Sequence, residues 1–159
     1  MAWLMLITEV PSEPAYLRVK LRRRVQRLGA IGLKGAVYLL PDGDGSMAGF
    51  KALRREIVAD GGEATICRAK LVDGMADADL VARFNQERDT EYAALLAACF
   101  ELERRWVPDA DKSPLVAERG RLFGRLEEIL ARDFFGCPRC EAAMQGVERL
   151  AGLNSGLAA

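Results

Sequence analysis

Histidine is absent from the 159 residues, and with it go the commonest metal ligand and the commonest general base at neutral pH. Ser-His, Cys-His and histidine-metal mechanisms are therefore excluded. Cysteine is scarce: Cys67, Cys99, Cys137 and Cys140 are too few to staple a chain of this length, and they read first as core thiols. No stretch approaches the about 18 uninterrupted apolar residues of a membrane span, and the N-terminus lacks the basic start, apolar middle and small-residue cleavage site of a secretory signal. A cytoplasmic protein without membrane contact is the expectation. Internal repeats and low-complexity tracts are also missing. Asp42 and Asp44 lack the full ligand pattern of a calcium loop, and the glycines around them lack the lysine and hydroxyl of a phosphate loop. The sequence calls for no metal, no cofactor and no catalytic residue.

What is present is the composition of a globular chain, 50% hydrophobic and 29% charged. Trp3 to Val10 is a nearly continuous apolar run that suits a central strand buried on both faces. Ser12, Glu13 and Pro14 then supply an N-cap, a first-turn acid and a first-turn proline, and Gly29 a left-handed C-terminal cap, for a helix over Pro14 to Leu28. Its buried stripe is Leu17, Leu21, Val25 and Leu28. Ala30 to Leu33 and Ala36 to Leu40, joined by Lys34-Gly35, read as a hairpin. Pro41 to Ser46 reads as a loop, Met47 to Ala59 as a helix ended by Gly61-Gly62, and the alternating Glu63 to Val72 as an outer strand. Strand, helix, hairpin, helix, strand is the split βαβ order, an antiparallel four-stranded sheet with two helices on one face. The rest reads as helices over Asp77 to Trp106, Pro114 to Arg132 and Pro138 to Leu150, with Pro108 and Phe135-Gly136 as breaks and a frayed end from Gly152. The expected class is α+β, with one domain over residues 1–72 and an all-helical extension over 73–159.

The zero formal charge conceals a division. Residues 1–72 hold 12 Lys and Arg against 7 Asp and Glu, and residues 73–159 hold 11 against 16. The cations of the first half concentrate on the first helix, where Lys20, Arg23, Arg24 and Arg27 flank one side of the apolar stripe and Arg18 and Arg22 the other. Two readings stand. One is phosphate contact, because a polyanion relieves the mutual repulsion of six cations. The other is a solvated face whose long side chains lie along the sheet or pair with the acidic second half.

Cys137-Pro138-Arg139-Cys140 has a dithiol spacing at an expected helix start, where the helix dipole and Arg139 would lower the first thiol's pKa. A redox role competes there with plain structural cysteines, and the motif follows a helix rather than the strand of a thioredoxin-type unit. Farther back, Arg83, Arg88, Asp89, Glu91 and Tyr92 fall on consecutive turns of one helix. Arg88 reaches Glu91 or Tyr92 at the i, i+3 and i, i+4 spacings, so the group is either a pocket rim or an intrahelical ion pair beside a partly buried tyrosine.

Several segments in a fixed order carry a family resemblance: Trp3-Leu4-Met5-Leu6, Val10-Pro11-Ser12-Glu13-Pro14, Arg27-Leu28-Gly29-Ala30, Gly35 to Pro41 and Gly61-Gly62-Glu63-Ala64. It continues through Arg83-Phe84-Asn85, Arg88-Asp89-Thr90-Glu91-Tyr92 and Arg132-Asp133-Phe134-Phe135-Gly136. In these the chain resembles the N-terminal domain of ChrB-type chromate resistance regulators. The resemblance implies a ferredoxin-like domain akin to those of PaaX-type repressors and of the small CRISPR-associated endonucleases, followed by helices. It implies a non-enzymatic role in controlling chromate efflux through DNA or a partner, with Arg18, Lys20, Arg22, Arg23, Arg24 and Arg27 as the contact residues. Family members carry a second, C-terminal domain associated with chromate sensing, so chromate or a separate sensing domain is an expected partner. An exposed sheet edge and a helical second half each offer a two-fold contact, and a homodimer is expected. An alternative is a thiol-based oxyanion reductase or redox sensor using Cys137 and Cys140. A third is a metal-dependent nuclease. The endonucleases place an aspartate at the end of the first strand, where this chain reads Ile7-Thr8-Glu9-Val10 and offers Glu9 instead.

Overall fold

The computed structural model describes residues 1–106 and 113–153. It is a mixed α+β chain with four strands in one antiparallel sheet and, among the described residues, five helices. The chain packs as two compact units, Met1–Val81 and the residues from Ala82 onward, so the opening turn of the long third helix belongs with the sheet.

In the first unit the sheet order is β2-β3-β1-β4. Strand β1 (Trp3–Glu9) is central, pairing antiparallel with β3 (Val37–Pro41) on one side and β4 (Glu63–Ala69) on the other. Its apolar run does place it inside the sheet, yet only Trp3 and Leu4 are successive buried positions. Beyond them Leu6 and Thr8 are buried while Met5 is half-buried and Ile7 is 44% exposed, because alternate residues face opposite sides and one side is closed less completely. Strand β2 (Ile31–Lys34) joins β3 through a two-residue turn at Gly35-Ala36, and Gly35 takes the positive φ of 55° that such a hairpin requires.

Helix α1 (Tyr16–Leu28) buries Leu17, Leu21 and Val25 and ends at Gly29, whose φ of 71° forms the expected left-handed cap. It begins two residues later than the sequence suggested. Glu13, preceding a proline, is disfavoured in the helical region, and the first turn closes from Leu17 N–H to the Pro14 carbonyl at 3.1 Å, with no side-chain cap on the N-cap residue Ala15. Helix α2 (Asp44–Ala59) begins three residues earlier than expected. Gly43 accepts the Met47 N–H at 2.9 Å and Asp44 stands in the first turn, where a carboxylate is favoured by the helix dipole. Phe50, Leu53 and Ile57 are its buried stripe.

Gly62 is fixed by close approach: a Cβ there would lie 2.7 Å from the Glu9 carbonyl oxygen and 2.9 Å from Ile57 Cγ2. Only glycine lets the chain leave α2 and enter β4 against the end of β1. Asp77 then ties the start of α3 (Asp77–Arg105) to β1, accepting from the Trp3 indole at 2.7 Å and from the N-terminal ammonium at 2.6 Å. Both donors hold the Asp77 carboxyl below the usual carboxylate range, the ammonium most of all.

The second unit is helical, formed by the rest of α3 with α4 (Ser113–Leu130) and α5 (Cys140–Gly152). Its core gathers Tyr92, Leu95, Cys99 and Leu102 from α3, Leu122 and Ile129 from α4, Cys137 from the connecting turn, and Ala143, Val147 and Leu150 from α5. A Cβ on Gly146 would lie 2.8 Å from Leu96 Cδ2, so α5 rests closely on α3. The expected break at Pro108 and most of the expected frayed end lie outside the described residues. No helix among the described residues is long and apolar enough to cross a membrane.

Candidate functional site

The basic helix separates into two groups. Lys20 Nζ donates to Asp60 Oδ2 at 2.6 Å, and Arg24 grips Glu56 with both arms of its guanidinium, Nε to Oε2 at 2.7 Å. The two carboxylates lie on or just after α2, so α1 and α2 run antiparallel with Lys20 beside Asp60 and Arg24 beside Glu56. The hydrogen bonds raise both cations above their ordinary pKa. Solvent-exposed pairs of this kind add little stability, so the helices are held together by the apolar floor of Leu17, Leu21, Leu53 and Ile57 beneath them. The expectation of six cations facing solvent is thus corrected for Lys20 and Arg24, which α2 neutralises. Sequence patterning missed Glu56 and Asp60 because they stand about 30 to 40 residues away, beyond the reach of helical spacing.

Arg18, Arg22, Arg23 and Arg27 are exposed, and among the described residues none of the four has an ion-pair partner. Arg27, with Arg24, Leu28, Gly49, Ala52, Leu53 and Glu56, lines a pocket of about 170 Å³ between the two helices.

The cysteine pair is arranged differently from its expectation. α5 begins at Cys140, and Cys137 sits before it in a turn closed by Cys140 N–H to the Cys137 carbonyl at 2.9 Å. Cys137 is only 3% exposed. Burial pushes its thiol pKa up, Asp133 and Asp89 add to that rise, and the opposing pull of Arg139 is weaker. The expected depression is reversed because burial outweighs both the Arg139 backbone N–H and the Arg139 guanidinium, which Asp89 holds at 2.7 Å. Cys140 is half-buried against Met144. In the native chain a chromogenic disulfide reagent at neutral pH is therefore expected to label Cys140 and Cys67 well before Cys137 and Cys99. Rapid labelling of Cys137 would contradict the burial. No three His, Cys, Asp or Glu side chains among the described residues gather as metal ligands.

The group at Arg88 is a buried polar cluster. Arg88 is 4% exposed and lies 2.9 Å from Glu91 Oε2. The contact is coulombic, since neither Arg88 Nε nor Glu91 Oε2 is aligned for a hydrogen bond. Glu91 also accepts from Arg132 Nη1 at 3.0 Å, and Arg88 Nη1 donates to the Arg132 carbonyl at 3.3 Å. Tyr92, fully buried, donates to Asp133 Oδ2 at 3.0 Å, and Asp133 accepts the Cys137 N–H. Phe84 meets Phe134 and Phe135 edge-on. Two sequence-distant segments, 84–92 and 132–140, thus lock together. The geometry of the cluster is that of a structural clamp.

These features define a two-unit α+β protein whose sheet unit carries an exposed arginine face on one helix and whose helical unit is pinned by a buried ion cluster. The family model described as Protein ChrB, N-terminal, matches residues 18–156, and the chain belongs to that family. It is 28% identical over 134 residues to Protein ChrB of Cupriavidus metallidurans, covering 84% of this chain and 40% of that protein. The chain therefore spans about two fifths of the length of that curated relative. No solved structure matches the chain.

Proposed function

We propose that the chain is a regulatory protein of chromate resistance that binds duplex DNA through the phosphate backbone, using Arg18, Arg22, Arg23 and Arg27. The observation that carries this reading is the exposure of four guanidiniums on one short helix, with no ion-pair partner among the described residues. Lys20 and Arg24 have the lesser task of matching α1 to α2. The reading includes a ferredoxin-like sheet unit with the helical remainder as its extension. The order β2-β3-β1-β4 supports the first, and the five-helix content with three helices after β4 supports the second. A homodimer acting in the cytoplasm belongs to the same reading, with chromate or a separate chromate-sensing domain as a further partner. The thiol alternative is less well supported, because burial pushes the Cys137 thiol pKa up, against the depression a reactive thiol requires.

Phosphate contacts carry a salt signature. Each one on duplex DNA contributes about −0.9 to the slope of log affinity against log salt. Anisotropy of a short labelled duplex, titrated at salt from about 50 to 200 mM, is expected to give a slope near −4 or steeper. Replacing Arg18, Arg22, Arg23 and Arg27 by alanine is expected to lower its magnitude by about 4. Unmeasurable binding at the low-salt end, or an unchanged slope in the quadruple variant, would remove the proposal.

A further inference from the structure

Resting on the anion-binding reading above, we infer that the binding surface is two helices wide and takes duplex rather than single-stranded nucleic acid, with Lys51 and Arg55 of α2 forming its second row. Both side chains are exposed, and they stand four residues apart, one turn of the same helix. The ion pairs Lys20–Asp60 and Arg24–Glu56 fix how α2 lies beside α1. Counting round α2 at 100° per residue, Phe50, Leu53 and Ile57 point to the core and Glu56 to α1, which leaves Arg55 facing outward and Lys51 on the adjoining outer side. On α1 the same counting puts Arg23 outward and Arg27 outward toward α2. The α2 carboxylate nearest this surface, Glu56, is already neutralised by Arg24, and Asp44 stands about two turns from Lys51.

The spacing selects the ligand. Packed helices lie about 8–10 Å apart, so the two rows of flexible cations are separated by a distance between the minor-groove width of about 6 Å and the major-groove width of about 12 Å. One row tracks one phosphate strand, whereas two rows straddle a groove and contact both strands. A single-strand site needs aromatic platforms for the bases to stack on. Of the aromatics on these two helices Phe50 is fully buried and Tyr16, exposed at the first residue of α1, stands alone, so the surface offers one stacking position where a single strand needs several in succession.

The test uses the full chain with a labelled duplex of arbitrary sequence and the matching single strand. For Lys51→Ala/Arg55→Ala the duplex salt slope is expected to fall in magnitude by about 2, the single-strand slope to stay at its wild-type value, and Lys51→Arg/Arg55→Lys to restore the duplex slope. A charge-matched control on the second unit, Arg104→Ala/Arg121→Ala, is expected to change neither. If the α2 double variant keeps the wild-type duplex slope while the α1 quadruple variant loses its own, the second row is rejected and the anion-binding reading survives. Equal loss on single strand and duplex would reject the straddled groove. Absence of salt-dependent binding by the wild-type chain would overturn both.

Discussion

Replacing Glu91 by alanine is expected to destabilise the folded chain by about 3–5 kcal/mol, whereas replacing its partner Arg88 by methionine is expected to change stability by less than about 1.5 kcal/mol. The asymmetry follows from what each substitution leaves behind. Arg88 is 4% exposed, and its carboxylate neighbour among the described residues is Glu91 at 2.9 Å. Without Glu91 the guanidinium stays in a low-dielectric site with, among the described residues, the Arg132 carbonyl at 3.3 Å to receive it, and Arg132 gives up its 3.0 Å contact with the same carboxylate. Losing Arg88 is the milder event. Glu91 is partly exposed and keeps Arg132, and a methionine of similar length fills the space with flexible apolar atoms. Replacing a buried ion with apolar volume is often neutral, while orphaning one is not. Urea unfolding midpoints of the two variants decide the matter, and equal losses would show that the cluster is an ordinary surface pair.

Local spacing was enough to read part of this cluster and the strand and helix order, because both rest on short-range periodicity. Arg88 and Glu91 stand at i, i+3, and they do pair within the helix. Tyr92, expected to be partly buried, is fully buried. What spacing could not show is that Arg132 and Asp133 arrive at the same place from about 40 residues away. The apolar stripe of α1 was largely legible, as Leu17, Leu21 and Val25 are buried where a 3.6-residue period puts them, while Leu28, the fourth expected position, is half-buried at the helix end. The charge on that helix was less so. Six cations looked alike in the sequence, and only the packing of α2 separates Lys20 and Arg24, which meet carboxylates, from Arg18, Arg22, Arg23 and Arg27, which do not. The helix starts were the least legible, since Ser12 and Pro14 offered a plausible cap that the backbone does not use and Gly43-Asp44 offered one hidden in an apparent loop. The same error placed Cys137 at the helix end, and what spacing could not show is its burial, which raises the thiol's pKa.

Asp133 is the second position where a large effect is expected: Asp133→Ala is expected to cost about 2–4 kcal/mol, and Asp133→Asn less than half of that. The carboxylate joins three parts of the helical unit by accepting the Tyr92 hydroxyl at 3.0 Å and capping the Cys137 N–H at 2.9 and 3.1 Å. Alanine leaves a fully buried phenol with only the weak Cys140 sulfur as a partner and a backbone donor beside a buried thiol with no side-chain acceptor, and a buried polar group so stranded costs about 1–3 kcal/mol. Asparagine retains one carbonyl oxygen that can serve one of the two donors, so part of the loss is recovered. The two substitutions also separate charge from hydrogen bonding at Cys137. Asp133 is among the groups that raise that thiol's pKa, after burial, so removing the negative charge is expected to lower the pKa while burial keeps it above the value of a free cysteine. Thiolate absorbance followed against pH in Asp133→Asn, with Cys67, Cys99 and Cys140 replaced by serine or alanine in both it and its reference, reads that shift directly. A Cys137 titration that does not move between the two would mean the carboxylate acts on the turn through its hydrogen bonds alone. A rise in the asparagine variant would contradict the electrostatic account outright.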